Sequence, residues 1–131
     1  MKKLIADKNM QHEFLIESAA TSTEELGNDT YPPARAKLKQ EGIPFARHFA
    51  RQITAADYNK YDLLIGMDKE NIFYMNRCWT DTEEKIHKLL EYTGSSAEVA
   101  DPWYSGNFDK AFDDIFRGCQ ALLDFLLNGA L

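Results

Sequence analysis

Residues 61–67 are Tyr61-Asp62-Leu63-Leu64-Ile65-Gly66-Met67, and this stretch decides the class of the fold. Its apolar run is typical of a β-strand that is buried on both faces, as strands are in parallel sheets. Asp68 comes directly after it and can cap a helix over residues 69–77, since an aspartate accepts hydrogen bonds from the amides of a first helical turn. A buried strand that leads into a helix indicates an α/β domain.

Strand and helix patterns alternate on both sides of this stretch. Phe14-Leu15-Ile16 predicts another strand, and residues 85–90 predict a weaker one. Pro32-Pro33 opens a helix, because proline suits the first helical turn, and Gly42 is its predicted stop. The chain of 131 residues has the length of one domain. We therefore predict a single α/β domain over residues 1–131 with a parallel sheet.

The longest predicted helix begins after Asn107 and runs to Leu127. Its apolar residues recur with a period of about 3.6, which we interpret as a stripe for core packing and not as a cofactor site. Residues 1–10 resemble the end of another helix, because Lys2 and Lys3 suit the middle or end of a helix better than its start. The residues of the stripe are Phe108, Phe112, Ile115, Phe116, Cys119, Leu122, Leu123 and Leu126.

Composition narrows the classes of function. The formal net charge of -6 disfavours non-specific binding to nucleic acids or to anionic membranes. Cys78 and Cys119 have neither a zinc-site spacing nor the density of a disulfide scaffold, and we interpret them as buried or idle thiols. The polar residues after Leu4 and Ile5 argue against a signal peptide, and no apolar run reaches the length of a membrane span. We expect a cytoplasmic protein with no metal and no cofactor.

The sharpest chemical motif is Asp101-Pro102-Trp103-Tyr104. The proline fixes the backbone just after a carboxylate, and two aromatic side chains follow at once. A carboxyl group beside aromatic walls is partly desolvated, which favours its protonated form, and a protonated carboxyl can serve a leaving oxygen as a general acid. Asp-Pro is also a common turn, so the motif by itself leaves both interpretations open.

Three further polar residues are candidates for a site, and each has a plainer alternative. Ser18 follows a predicted strand, at the end of a sheet where α/β proteins bind ligands, although it could be an ordinary loop hydroxyl. His48 lies between Arg47 and Arg51, a grouping that could bind an anion or could be a structural histidine beside solvated arginines. Asp68 also follows a strand and could serve only as a helix cap.

Taken in order, these segments resemble the low-molecular-weight protein-tyrosine-phosphatases. The resemblance extends from about Met1 to Phe125. It implies a three-layer α/β sandwich around a four-stranded parallel sheet, and hydrolysis of phosphotyrosine through a phosphocysteine intermediate. The matching pieces are Glu17-Ser18-Ala19-Ala20-Thr21-Ser22, Gly27, Glu41-Gly42-Ile43, His48-Phe49-Ala50-Arg51-Gln52-Ile53-Thr54, Tyr61-Asp62-Leu63-Leu64-Ile65, Met67-Asp68 and Asp101-Pro102-Trp103-Tyr104.

The resemblance also implies roles for the candidate residues. Asp101 would protonate the departing tyrosine oxygen and then activate water. Trp103 and Tyr104 would line the substrate cleft. The expected partners are a phosphotyrosine protein or a small aryl phosphate, with no nucleic acid, no membrane and no cofactor. The residues that would brace or support the phosphate-binding loop are Ser18, His48 and Asp68.

One departure from the family pattern is large. The family holds the phosphoryl group in a Cys-x5-Arg loop, but Glu84 stands six residues after Cys78, and Phe125 stands six residues after Cys119. That loop would precede Met1, with the first strand and half of the first helix. We expect the chain as given to be inactive alone, either as part of a working phosphatase or as a non-catalytic relic that serves as a binding or assembly module. An arsenate reductase of similar fold is disfavoured, because it needs a nucleophilic cysteine and a resolving pair.

The resemblance has a structural consequence as well. The family's first strand would lie between residues 13–17 and residues 61–67, so a sheet without it would have two open strand edges. The lost hydrogen bonds and apolar burial would rival the whole stability of a domain, about 5–15 kcal/mol. We expect the open edges to pair between two chains, which gives a homo-oligomer, in preference to closing on each other.

Overall fold

The computed structural model describes residues 1–21, 32–44, 51–99 and 107–128. Its helices are α1 (Lys2–Asp7), α2 (Pro32–Gln40), α3 (Ala55–Lys60), α4 (Lys69–Cys78) and α5 (Phe108–Leu127), and a 3-10 helix covers Leu89–Thr93. Its strands are β1 (Leu64–Gly66) and β2 (Ile86–Lys88). In these four segments no helix is both long enough and apolar enough to span a membrane.

The two strands form a parallel pair in a register that places Leu64 beside Ile86. Parallel neighbours need a crossover connection, and α4 lies in the connection between them. Apolar side chains cover both faces of β1, because Leu64 packs with Met75 of α4 while Ile65 packs against the cluster that α5 contributes. The predicted α/β class and parallel pairing are confirmed, and the strand predicted at residues 61–67 is confirmed in a shorter form.

The strand predicted at Phe14-Leu15-Ile16 is wrong. Residues 14–19 form no ladder with any part of the chain that the structure describes, and the nearest sheet-like contact is a parallel bridge between Ala20 and Gln52. Leu15 is 61% exposed. A strand needs neighbours for its backbone N–H and C=O groups, and a short apolar run does not by itself supply them.

The helix boundaries follow the capping residues. Oδ1 of Asp68 accepts a hydrogen bond from the amide of Asn71 (2.8 Å), and Oδ1 of Asn107 accepts one from the amide of Lys110 (3.0 Å). Gly42 follows α2 with a φ of 68°, a left-handed conformation in which glycine carries no Cβ penalty. The predicted α2, α4 and α5 are thus confirmed together with their start or stop signals.

The apolar stripe of α5 is fully covered only toward its C-terminal end. Cys119, Leu122 and Leu123 are buried, and the first two pack in a cluster with Leu89 of the 3-10 helix and Leu4 of α1. Ile115 and Phe116 are 39% and 37% exposed. Our interpretation of the whole stripe as core packing was therefore wrong for Ile115 and Phe116. The 3-10 helix and α1 pack on α5 around Cys119 and Leu122, and α2 contacts its first turns, which leaves Ile115 and Phe116 partly open.

Candidate active site

The turn after β1 is closed by its own hydrogen bonds. Met67 and Asp68 follow β1 directly, and Asp68 caps α4, as the plainer of its two interpretations predicted. The amide of Met67 donates to Oδ1 of Asn71 at 3.0 Å, so the end of the strand is tied to the first turn of the helix. This is the carboxyl end of a parallel sheet, where open α/β folds bind their ligands.

The segment that leads to Asp101 is fastened to the same turn. The amide of Val99 donates to the carbonyl oxygen of Met67 (3.0 Å), and the amide of Lys69 donates to Oε1 of Glu98 (2.7 Å). Asp101 follows Val99 by two residues along the chain. The predicted site residues that lie outside the described segments are Asp101, Trp103, Tyr104 and His48.

A groove of about 430 Å³ opens between α2, α5 and the turn after β1. Val99 and Phe108 line it, and these two residues flank residues 100–106, which contain the predicted general acid. The volume falls in the range of small-molecule sites, about 300–1,000 Å³. We take this groove as the candidate substrate cleft. Its other lining residues include Lys37, Leu38, Met67, Asp68 and Phe112.

Lys37 links α2 to α5 at this groove. Its Nζ lies 2.8 Å from Oε1 of Glu41 and 2.5 Å from Oδ1 of Asp109, and it stands 5.4 Å from the ring centre of Phe112. The hydrogen bonds to Asp109 and Glu41 raise the pKa of Lys37. Two carboxylates already engage this ammonium group, so it acts as a connection between the helices and is a poor candidate for an open anion site.

Arg51 is held by a carboxylate. Its Nη1 and Nη2 donate to Oδ2 and Oδ1 of Asp57 at 3.1 and 3.2 Å, and its Nη2 lies 3.9 Å from Oε2 of Glu17. The hydrogen bond to Asp57 raises the pKa of Arg51, and the same bond lowers the pKa of the buried Asp57. Arg51 is therefore engaged by a carboxylate and is not an open anion ligand, although 41% of its side chain is exposed to solvent.

The segment that carries Ser18 joins the residues that follow His48. The amide of Ala20 donates to the carbonyl oxygen of Arg51 (2.7 Å), and the amide of Ile53 donates to that of Ala20 (2.8 Å). Ser18 is exposed and lies two residues before this bridge. The segment that contains Ser18 is thus paired with the described residues that follow His48 in the chain.

Sequence reasoning missed two side chains of α4 that contact this bridge. Nδ2 of Asn71 donates to Oγ1 of Thr21, and the hydroxyl of Tyr74 accepts from Nε2 of Gln52, both at 3.3 Å. Positions three apart share a face of a helix. The available signal was a pair of polar side chains at that spacing, directly after a strand and its capping aspartate.

The sequence matches the family described as low molecular weight phosphotyrosine protein phosphatase over residues 1–129. This chain belongs to that family. The resemblance inferred from the order of the motifs is therefore confirmed.

Relatives within the phosphatase family are similar along nearly the whole chain. The low molecular weight protein-tyrosine-phosphatase YfkJ of Bacillus subtilis is 33% identical over 125 residues, which are 93% of this chain and 80% of that protein. The human low molecular weight phosphotyrosine protein phosphatase is 32% identical over 129 residues, 94% of this chain and 81% of that protein. The crystal structure of YfkJ has a TM-score of 0.93 at 31% identity, and the match covers 99% of this chain and 84% of that chain.

The two cysteines of this family member lie away from the turn after β1. Cys78 is the last residue of α4, a helix of ten residues that begins at that turn, so about 15 Å of helix separates it from Asp68. Cys119 is buried in α5. Both thiols are free, and Cys78 is exposed. Among the described residues, no cluster of three or more His, Cys, Asp or Glu side chains could hold a metal ion.

Proposed function

We propose that this chain carries the general acid and the supporting residues of a phosphatase that hydrolyses phosphotyrosine monoesters through a phosphocysteine intermediate. The observation that carries the proposal is the hydrogen bond from the amide of Val99 to the carbonyl oxygen of Met67. It fastens the chain two residues before Asp101 to the carboxyl end of β1, beside a groove of about 430 Å³. Family membership supports the same reaction class.

Asp101 would act as the acid and then as the base of this reaction. It would give a proton to the tyrosine oxygen as the phosphorus–oxygen bond breaks, and later take a proton from the water that attacks the phosphocysteine. Phe108 and Phe112 line the groove beside its segment, and apolar walls favour the protonated form that the first step needs. Trp103 and Tyr104 would complete the wall of the cleft around the substrate ring.

Ser18, His48 and Asp68 would hold the phosphate-binding loop in place. The described part of this arrangement supports that role, because Asp68 closes the turn after β1 and the bridge at Ala20 lies close to Ser18 in the chain. The parallel sheet would be the family's three-layer sandwich without the strand that leads into the loop. In such a structure, the loop would meet these three residues at the carboxyl end of the sheet.

The chain as given would be inactive on its own. Neither cysteine begins a Cys-x5-Arg sequence, and neither lies at the turn after β1. A general acid alone supplies about 10²- to 10⁴-fold, which is small beside the rate enhancement of an enzyme, about 10⁶-fold or more. The acid and its supports would therefore need a Cys-x5-Arg loop, a pattern that neither Cys78 nor Cys119 begins.

We propose in addition that two copies associate through open strand edges. Residues 14–19 have no ladder in the described structure, and they expose Leu15 between two other apolar residues. A run of strand-forming residues that lies outside any ladder and exposes an apolar side chain is a template for pairing with another chain. The occupant we propose is the same segment of a second copy, which would give a closed dimer.

The catalytic proposal is tested in a chimera that joins a family strand and Cys-x5-Arg loop ahead of Met1. Asp101→Asn should lower kcat by about 10²- to 10⁴-fold on phenyl phosphate or phosphotyrosine. The loss of kcat should be much smaller on an aryl phosphate with a very acidic leaving group, because that group needs little protonation. Inhibition by inorganic phosphate should stay unchanged. Asp113→Asn is the matched control, because Asp113 is exposed on α5 and pairs only with Arg117 among the described residues. An equal loss for all leaving groups would remove Asp101 from the acid role.

A further inference from the structure

One face of α4 contacts both the turn after β1 and the bridge between Ala20 and Gln52. Oδ1 of Asn71 accepts from the amide of Met67 (3.0 Å), while its Nδ2 donates to Oγ1 of Thr21 (3.3 Å). The same side chain therefore connects the end of β1 to the segment that contains Ser18. An amide suits this position because it donates and accepts at the same time.

Tyr74 adds a second contact one turn further along the same face. Its hydroxyl accepts from Nε2 of Gln52 at 3.3 Å, and Gln52 is the bridge partner of Ala20. Asn71 thus contacts the residue that follows Ala20, and Tyr74 contacts the residue that lies across the bridge from it. Two contacts on two chain segments fix an orientation as well as a position.

The close packing of α4 on β1 is an independent observation. A Cβ placed on Gly66 would lie 2.9 Å from Cδ1 of Ile72, 3.0 Å from Cβ of Asn71 and 3.3 Å from Cε of Met75. At these distances a methyl group would force the side chain of Ile72 to shift and would press on Cβ of Asn71. The glycine therefore allows the first turn of α4 to lie directly against the end of β1. In that position Oδ1 of Asn71 can accept the hydrogen bond from the backbone amide of Met67.

We propose that Asn71 is a positioning residue, which holds the bridge between Ala20 and Gln52 at the carboxyl end of β1, with Tyr74 as the second contact. This inference rests on the proposed function, since the bridge joins the segment of Ser18 to the segment that follows His48. Asn71 acts through these segments and not on the substrate. The side chain of Asn71 bonds outward to Thr21, so its contribution differs from that of an ordinary residue in the helix.

The test is amide hydrogen exchange on the full chain, which does not depend on phosphatase activity. Asn71→Ala should speed exchange of the Ala20 and Ile53 amides, which cross the bridge, by about tenfold, the loss expected when one hydrogen-bonded contact is removed. Exchange of the buried Leu122 and Leu123 amides in α5 should stay within twofold of wild type. A rise of equal size throughout the chain would mean that Asn71 only stabilises the fold, and would overturn the proposal.

Four further variants complete the experiment. Thr21→Val should produce part of the effect at the bridge, and adding it to Asn71→Ala should change exchange little further, because Asn71→Ala already removes the contact with Thr21. Asn71→Asp should restore most of the protection, since the Thr21 hydroxyl can turn and donate to the carboxylate. Asn76→Ala, an exposed position on α4, controls for the helix substitution and should leave the bridge unchanged. Additive effects of Asn71→Ala and Thr21→Val would contradict the proposal.

The result can be separated from that of the proposed function. If Asp101→Asn in the chimera has no selective effect, the catalytic role fails while the exchange pattern still reports on Asn71. If the exchange pattern is uniform, the positioning role fails while the leaving-group dependence still reports on Asp101.

Discussion

Asp57 joins the start of α3 to the segment beside the Ala20 bridge through a two-pronged ion pair with Arg51. Oδ2 of Asp57 accepts from Nη1 of Arg51 at 3.1 Å and from the amide of Thr54 at 2.7 Å, and its Oδ1 accepts from Nη2 of Arg51 at 3.2 Å. The carboxylate is buried, with 9% of its side chain exposed. Losing it would leave the guanidinium without its main partner.

Asp57→Asn should destabilise the chain by about 1–2 kcal/mol at pH 7, because a charge-assisted ion pair is lost. The loss is not larger because solvent reaches part of Arg51 and weakens the pair. The hydrogen bond to Arg51 holds the pKa of Asp57 below its ordinary value near 3.9. The stabilisation is therefore present above that value and is lost as pH falls through the lower pKa of the folded state. Urea denaturation at pH 7 and pH 3 measures the free energy of unfolding of both proteins. The difference between wild type and Asp57→Asn should be smaller at pH 3 than at pH 7.

Asp113→Asn provides the comparison for this measurement. Asp113 is also paired with an arginine, Arg117 at 3.0 Å, but its side chain is 67% exposed. Exposed pairs of this kind contribute about 0–0.5 kcal/mol. A pH-independent difference for Asp57→Asn, or an equal loss for Asp113→Asn, would contradict the role of burial in this ion pair.

Gly66→Ala should destabilise the chain by about 1–3 kcal/mol, because the added methyl group overpacks the contact between β1 and α4. The nearest atom is Cδ1 of Ile72 at 2.9 Å. Ile72→Val removes that atom, so the double variant should be less destabilised than the sum of the two single changes. Urea denaturation of the four proteins gives the coupling free energy, and simple additivity would show that the clash lies elsewhere.

Local signals predicted the helices of this fold well. Asp68 and Asn107 each begin a helix by accepting a hydrogen bond from an amide three residues later. Gly42 ends a helix by adopting a left-handed conformation. Strands were harder, since Phe14-Leu15-Ile16 has the right residues but no ladder in the described structure. Strand pairing depends on a neighbour that is distant in sequence, and an apolar run carries no information about that neighbour.

The same distinction explains which parts of the candidate site could be predicted. Asp68 follows a buried strand, so both its position and its capping role could be inferred from adjacent residues. The contact of Asn71 with Thr21 joins residues 50 positions apart, and Tyr74 meets Gln52 across 22. The pairing of Arg51 with Asp57 was also missed, because the sequence does not show which of the nearby carboxylates an arginine meets.

The chain as given should show no measurable turnover of p-nitrophenyl phosphate. The reaction needs a thiolate at the phosphorus atom, and both cysteines lie elsewhere, at the far end of α4 and inside α5. The assay compares the purified chain with its Asp101→Asn variant after repeated chromatography. Activity that persists in the wild type and vanishes in the variant would show that the acid works without the expected nucleophile.

The purified chain should exceed 15.0 kDa in light scattering, because the open segment around Leu15 should pair between copies. Leu15 is 61% exposed, and Leu15→Lys would place a charge in that contact and should shift the population toward a single chain. Phe73→Lys is the matched control, since Phe73 is 65% exposed on α4 and should leave the mass unchanged.

Phe116→Lys separates this contact from its main rival. Phe116 is 37% exposed and stacks on Phe112, on the uncovered part of the α5 stripe, and that surface could also bury apolar area between two chains. If Phe116→Lys dissociates the assembly and Leu15→Lys does not, the contact lies on α5 and the proposal about strand edges is wrong. A uniform 15 kDa species with cooperative thermal unfolding would show that the chain needs no partner, because its open edges would then be stable in water.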